Sequence, residues 1–229
     1  MTQDSHARLT IVAKGLKSLL PDVTFVGGAV TALYATNPAA PTPRPSLDVD
    51  CVVVITSRMQ YARLEHTLEQ LGFKHDTRQG APICRWLLQE IQVDIMPTDP
   101  RILGFANRWS AEGVGSSMVY TLSPGLSIRL LDAPFFLASK LEALQSRGGD
   151  LRLSGDFDDI VFLIDNRPEI VHEMAHAPRL LIRFVRECLQ DLLRKGELQE
   201  AIESVLAFGP ERKRAAGIMK VFESLTRHP

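Results

Sequence analysis

Leu47-Asp48-Val49-Asp50-Cys51-Val52-Val53-Val54-Ile55 is an apolar run broken only by two carboxylates at alternate positions. An apolar run of this length between turn residues reads as a buried strand. Alternate side chains of a strand point the same way, so Asp48 and Asp50 share one face, about 7 Å apart along the chain. Two carboxylates in such a strand are costly to bury unless something compensates them. A second run, Ile91-Gln92-Val93-Asp94-Ile95-Met96, carries one more. If the two strands are neighbours, Asp48, Asp50 and Asp94 meet at one point. That makes an oxygen-only site suited to Mg²⁺, or Mn²⁺, bound together with phosphates.

Upstream, Phe25-Val26-Gly27-Gly28 takes a short strand, Val23 to Val26, straight into paired glycines and then a helical start, Ala29 to Tyr34. Glycines there let backbone N–H groups approach phosphate, and a helix N-terminus favours negative charge. The rest of the first half reads as a helix over Leu9 to Leu20, stopped by Pro21-Asp22, and a loop over Asn37 to Pro45 with Pro38, Pro41, Pro43 and Pro45. A helix over Met59 to Leu71 ends at Gly72. Strands are expected at Phe73–His75, Ile83–Leu88, Glu90–Met96, Ser117–Leu122 and Leu126–Leu130. From Ala133 the pattern is helical: Pro134–Gln145, Asp156–Ile164, Glu169–Ala175, Pro178 to about Lys195, and Glu211–Leu225, with breaks at Gly148-Gly149, Gly196 and Gly209-Pro210. The order predicts an α/β fold, a small mixed β-sheet with flanking helices over residues 1–127, followed by a helical C-terminal lobe over 128–229.

The composition of the 229-residue chain is that of an ordinary globular protein, 45% hydrophobic and 23% charged, and excludes fibrous and disordered classes. A net charge of −1 gives no general electrostatic grip on nucleic acid. Cys51, Cys84 and Cys188 are odd in number and widely spaced, which argues against a disulfide framework and a zinc ribbon and fits a reduced, cytoplasmic setting. Met1 to Arg8 lacks the apolar stretch of a signal peptide, and no apolar run is long enough to span a membrane.

The ordered set Gly27-Gly28-x-x-x-x-Leu33, Arg44-x-Ser46-x-Asp48-x-Asp50 and Asp94 resembles the polymerase β-like nucleotidyltransferase superfamily. It is most similar to the branch containing the AbiEii-type toxins of type IV toxin–antitoxin systems and their uncharacterised relatives. Phe136-Leu137-Ala138-Ser139-Lys140-Leu141-Glu142-Ala143-Leu144, Arg147-Gly148 and Ser154-Gly155-Asp156-Phe157-Asp158-Asp159-Ile160 resemble that branch's Lys-plus-Arg helix and the acidic helix after it. The resemblance spans about Phe25 to Ile164 and leaves the last 60 or so residues uncovered.

The resemblance implies two-metal transfer of a nucleotide from an NTP to a hydroxyl acceptor: an RNA 3′ end such as that of tRNA, a protein side chain or a small molecule. By it, Asp48 and Asp50 hold the ions, and Asp94 helps bind one and orients the attacking hydroxyl. Gly27, Gly28, Arg44, Ser46, Lys140 and Arg147 attend the phosphates, while Asp156 and Asp159 face the cleft or brace Lys140. An antitoxin is an implied partner. The proline-rich loop departs from the branch, which links Gly-Gly to Arg-x-Ser/Thr-x-Asp more briefly. The bland readings are an exposed helix lysine at Lys140, an N-cap at Asp156 and an Arg147–Asp159 pair. A reading from another class is a nucleotidyltransferase fold serving as a non-catalytic nucleotide- or partner-binding module.

Other motifs compete. His172-Glu173-Met174-Ala175-His176 spells the zincin pattern H-E-x-x-H. Pro168 and Pro178 confine it to about two turns, and Glu197 is a third ligand by position only. A solvated short helix is the plainer reading. Gly113-Val114-Gly115 is a lone G-x-G, and no G-x-x-x-x-G-K-[ST] occurs. Arg212, Lys213, Arg214 and Lys220 make the terminal helix basic, a solvated face or a contact for RNA or an antitoxin.

Overall fold

The computed structural model describes residues 5–206 and 211–227, with side chains over the same range except at 211–213. The chain divides into two compact units, one of Met1–Leu33 with Pro45–Asp132 and one of Tyr34–Arg44 with Ala133–Pro229.

The first unit is a seven-stranded mixed sheet. Its strands are β1 (Val23–Val26), β2 (Asp48–Val53), β3 (Lys74–His75), β4 (Arg85–Leu88), β5 (Ile91–Pro97), β6 (Met118–Ser123) and β7 (Leu126–Leu130), in spatial order β3-β4-β5-β2-β1-β7-β6. β2 sits centrally, parallel to β5 and antiparallel to β1. Its apolar residues explain the position: Val49 and Cys51 are fully buried, whereas Asp48 and Asp50 on the opposite face are only half-buried. Helix α1 (Ser5–Leu16) lays Leu9, Val12, Ala13 and Leu16 across β2, β5 and β7. Helix α2 (Arg58–Gln70) buries Tyr61, Leu64 and Leu68, and the Ser57 hydroxyl caps it by accepting from the Gln60 N–H (3.2 Å).

In the first unit three local outcomes differ from the sequence reading. The first helix ends at Leu16 and tightens into a 3₁₀ turn over Lys17–Asp22, with Lys17 at φ +47°. The expected helix after Gly27 is a 3₁₀ segment, Gly28–Tyr34, so no α-helical N-terminus follows the glycines. Two short helices, α3 (Pro100–Leu103) and α4 (Ser110–Gly115), occupy the stretch between β5 and β6.

The second unit is helical: α5 (Ala133–Arg147), α6 (Gly155–Asn166), α7 (Ile170–Ala175), α8 (Arg179–Arg194), α9 (Leu198–Val205) and α10 (Glu211–Arg227). α5 packs on α6, α7 and α8, and α10 packs on α6, α7, α8 and α9. Segment Tyr34–Arg44 is strapped to this unit. Tyr34 stacks on Phe136 with ring centroids 4.2 Å apart, the N–H groups of Thr36 and Asn37 donate to the Asn166 carbonyl, and the Thr36 hydroxyl donates to Glu169 (2.6 Å). α9 is unpredicted. The break at Gly209-Pro210 and the side chains of Arg212 and Lys213 lie outside the described residues. No described helix is long and apolar enough to cross a membrane.

Candidate functional site

The β2–β5 register sets Asp50 directly beside Asp94, and the β1–β2 register sets Val26 beside Asp50. Asp48, Asp50 and Asp94 therefore converge. Each offers a carboxylate oxygen within 4.8 Å of the others, the one such group of three or more His, Cys, Asp or Glu residues among the described residues. The donors are hard oxygens from rigid strands, which fits a divalent cation of the Mg²⁺ or Mn²⁺ kind.

Gly27 ends β1 at φ +75°. A Cβ placed there would lie 1.9 Å from Asp50 Oδ2 and 2.7 Å from its Cγ. The glycine leaves the space that the Asp50 carboxylate fills. Gly28 is buried at the start of the 3₁₀ segment. The Ser46 hydroxyl, buried two residues before the start of β2, donates to Asp48 Oδ1 (3.0 Å) and fixes that carboxylate's rotation.

Arg85 is a member of the cluster that sequence reasoning missed. Its Nε donates to Asp94 Oδ1 and its Nη2 to Asp94 Oδ2, both at 2.7 Å, and Nη2 also reaches Asp48 Oδ2 at 3.3 Å. The fork is bidentate, the strong geometry for an arginine–carboxylate pair. Hydrogen bonding to Asp94 raises the Arg85 pKa further above its ordinary value, so the charge is permanent. The two-residue turn Gln89-Glu90 between β4 and β5 is the signal that locates it. With Leu88 opposite Ile91, Arg85 must fall opposite Asp94. Burial, with some help from Asp94, pushes the nearby Cys84 thiol up to about 12, and burial raises Cys51 well above its usual value.

The remaining sequence-derived residues lie in the helical unit and form a second cluster. Lys140, on α5 and only 6% exposed, places its ammonium 2.6 Å from Asp159 Oδ2 and 3.2 Å from Asp156 Oδ1. Arg147 pairs with the other oxygen of Asp156. Arg44 Nη2 donates to Asp159 Oδ2 (2.9 Å), and its Nε donates to the Gly155 carbonyl (3.0 Å). Lys140 is thus enclosed rather than solvent-exposed. Asp156 sits in the first turn of α6, whose N-cap is Ser154, accepting from the Phe157 N–H. Arg147 pairs with Asp156 and not with Asp159.

The H-E-x-x-H segment is a short helix without metal geometry. Glu173 is held by both Nε and Nη2 of Arg167 (2.7 and 2.6 Å), and His176 Nδ1 lies 2.8 Å from the His172 carbonyl. No third ligand joins the two histidines among the described residues.

The mixed sheet with its flanking helices has the fold of a nucleotidyltransferase-like protein. Among solved structures the chain is similar to an antigenic nucleotidyltransferase-like protein from Paracoccidioides brasiliensis, with a TM-score of 0.53 and 19% identity over 88% of this chain and 93% of that one. At that identity the likeness is one of fold. No protein-family model matches the chain, and no curated protein does.

Proposed function

We propose that the chain is a metal-dependent nucleotidyltransferase that moves a nucleotide from an NTP to a hydroxyl acceptor. The observation that carries this reading is the convergence of Asp48, Asp50 and Asp94 beside Gly27 on a nucleotidyltransferase-like sheet. In the transfer, the acceptor hydroxyl loses its proton to solvent as its oxygen bonds to the α-phosphorus, the bond from that phosphorus to the bridging oxygen breaks, and pyrophosphate leaves. Bound divalent ions would supply Lewis-acid stabilisation of the entering and leaving oxygens. Asp48 and Asp50 would hold those ions, with Ser46 fixing the Asp48 carboxylate. Asp94, gripped by Arg85, orients the acceptor hydroxyl. Gly27 and Gly28 admit the triphosphate close to the backbone. Arg44, Lys140 and Arg147 are the cations of the helical unit, with Asp156 and Asp159 as their braces.

The finer reading is an AbiEii-type toxin of a type IV toxin–antitoxin system, cytoplasmic, with tRNA or a protein as acceptor and an antitoxin as partner. Incubation with each radiolabelled NTP and total cellular RNA or protein tests the reading. Label is expected on one acceptor class, and Asp48→Ala and Asp50→Ala are expected to abolish it. Undiminished transfer by either variant would sink the assignment.

A second reading is favoured by Arg85, which already occupies both oxygens of Asp94. It is a non-catalytic nucleotide- or partner-binding module on the same fold. Calorimetry with ATP or CTP separates the two, because binding that needs no Mg²⁺, or its absence, favours the module.

A further inference from the structure

The carboxylate cluster is not waiting bare for a cation. Three carboxylates meet within 4.8 Å, and one guanidinium is inserted among them. Arg85 is not a bystander at the rim. Its side chain is 19% exposed and that of Asp94 is 10% exposed, so the pair is largely withdrawn from water. It is also fixed by the sheet itself, since Arg85 and Asp94 are cross-strand partners in a hairpin closed by two residues.

The two carboxylates it touches are held differently. Asp94 is gripped through both oxygens at 2.7 Å. Asp48 is reached through one oxygen at 3.3 Å, while its other oxygen is bonded to Ser46. The contact to Asp48 is the longer and weaker, so a cation entering the cluster displaces it first. The fork on Asp94 is the contact that persists.

We propose that Arg85 is a resident counter-cation of this site, a positioning residue that locks Asp94 and competes with the divalent ion for Asp48. This inference rests on the nucleotidyltransferase reading only through the metal. Its consequence is a deliberately weakened affinity for free metal. A fixed positive charge a few ångströms from a divalent ion opposes its binding directly. Removing that charge strengthens metal binding, the opposite of what loss of a merely structural ion pair would do.

The test is titration of the full chain with Mn²⁺ alone, following free ion by its paramagnetic resonance signal. Arg85→Gln, and Arg85→Met in parallel, are expected to bind Mn²⁺ about 10–100-fold more tightly than the unaltered chain, the range over which groups around metal ligands tune affinity. Arg85→Lys, which keeps the charge and loses the fork, is expected to stay within about threefold of it. Equal or weaker binding by the neutral variants, with the unaltered chain binding Mn²⁺, overturns the role of Arg85 and leaves the nucleotidyltransferase reading standing. Failure of every protein to bind Mn²⁺ overturns both. Tight binding that survives Asp48→Asn in the Arg85→Gln background also overturns the inference, because the ion is then elsewhere. Should the neutral variants not fold, the unaltered chain decides. The Arg85 Nε–H resonance is expected to shift as Mg²⁺ saturates the site, and a resonance that stays still refutes the competition.

Discussion

Replacing Gly27 by alanine tests the arrangement of the site through its backbone. Two penalties apply. At φ +75° an L-residue with a side chain costs about 1–2 kcal/mol. The added methyl would also lie 1.9 Å from Asp50 Oδ2, 2.7 Å from its Cγ and 2.8 Å from its Cβ, so the Asp50 carboxylate or strand β1 must move. Overpacking of this kind costs about 1–3 kcal/mol. Together they amount to roughly 2–5 kcal/mol, a fall in melting temperature of roughly 4–20 °C for a chain of this size. A double-mutant cycle in urea isolates the second part. In an Asp50→Ala background the two shortest contacts vanish and only the one to Cβ remains. Gly27→Ala should then cost at least about 1 kcal/mol less than in the unaltered chain. On the proposed metal role of Asp50, Mn²⁺ affinity should fall with Gly27→Ala alone, because a proposed ligand is displaced. If Gly27→Ala costs the same in both backgrounds, within about 0.5 kcal/mol, the space at Gly27 does not belong to the Asp50 carboxylate and the reasoning fails.

The Lys140→Met variant keeps the bulk of the side chain and removes its charge. With Asp156 and Asp159 left side by side and buried, it should cost about 3 kcal/mol, the lower end for a broken buried pair because Arg44 and Arg147 remain; an unchanged melting midpoint would show that the cluster does not brace α5 on α6. Asp76 offers a pH test. Hydrogen bonds from the Arg78 side chain hold its carboxyl at about 2, below the usual 3.8. A depressed acid stabilises the fold above its unfolded pKa and loses that contribution as pH falls through the folded one. The melting midpoints of the unaltered chain and Asp76→Asn should therefore differ at pH 5 and converge as pH falls towards 2, and a gap undiminished at the acid end would contradict the pairing.

The carboxylate strands were legible because period two survives in any context: Asp48 and Asp50 stand out against Val49 and Cys51 whatever surrounds them. Arg85 was not, because its place depends on register, and register hangs on the turn at Gln89-Glu90, where Gln89 takes φ +56°. Asparagine and glycine advertise such turns; glutamine does not. α9 was overlooked although Leu198, Ala201 and Ile202 follow helical spacing, since glycines on either side made the stretch read as punctuation. The 3₁₀ segment after Gly27 follows tertiary fit rather than propensity, for Ala29 to Tyr34 is unobjectionable as an α-helix. The enclosure of Lys140 follows one of the readings its motif offered: the acidic residues sixteen and nineteen positions later brace the lysine, and the exposed helix lysine of the plainer reading is not what forms.

The strap Tyr34–Arg44 also bears on how the chain is made. The polypeptide leaves the sheet unit after Leu33, contributes this segment to the helical unit, and returns at Pro45. No single cut can release either unit whole. The Thr36 hydroxyl meets its acceptor Glu169 only 133 residues later. At translation rates of about 5–20 residues per second, the strap emerges roughly 7–27 seconds ahead of its partner. Over the first part of that interval the growing chain can pair β1 with β2, while Tyr34 waits for Phe136 to cover it.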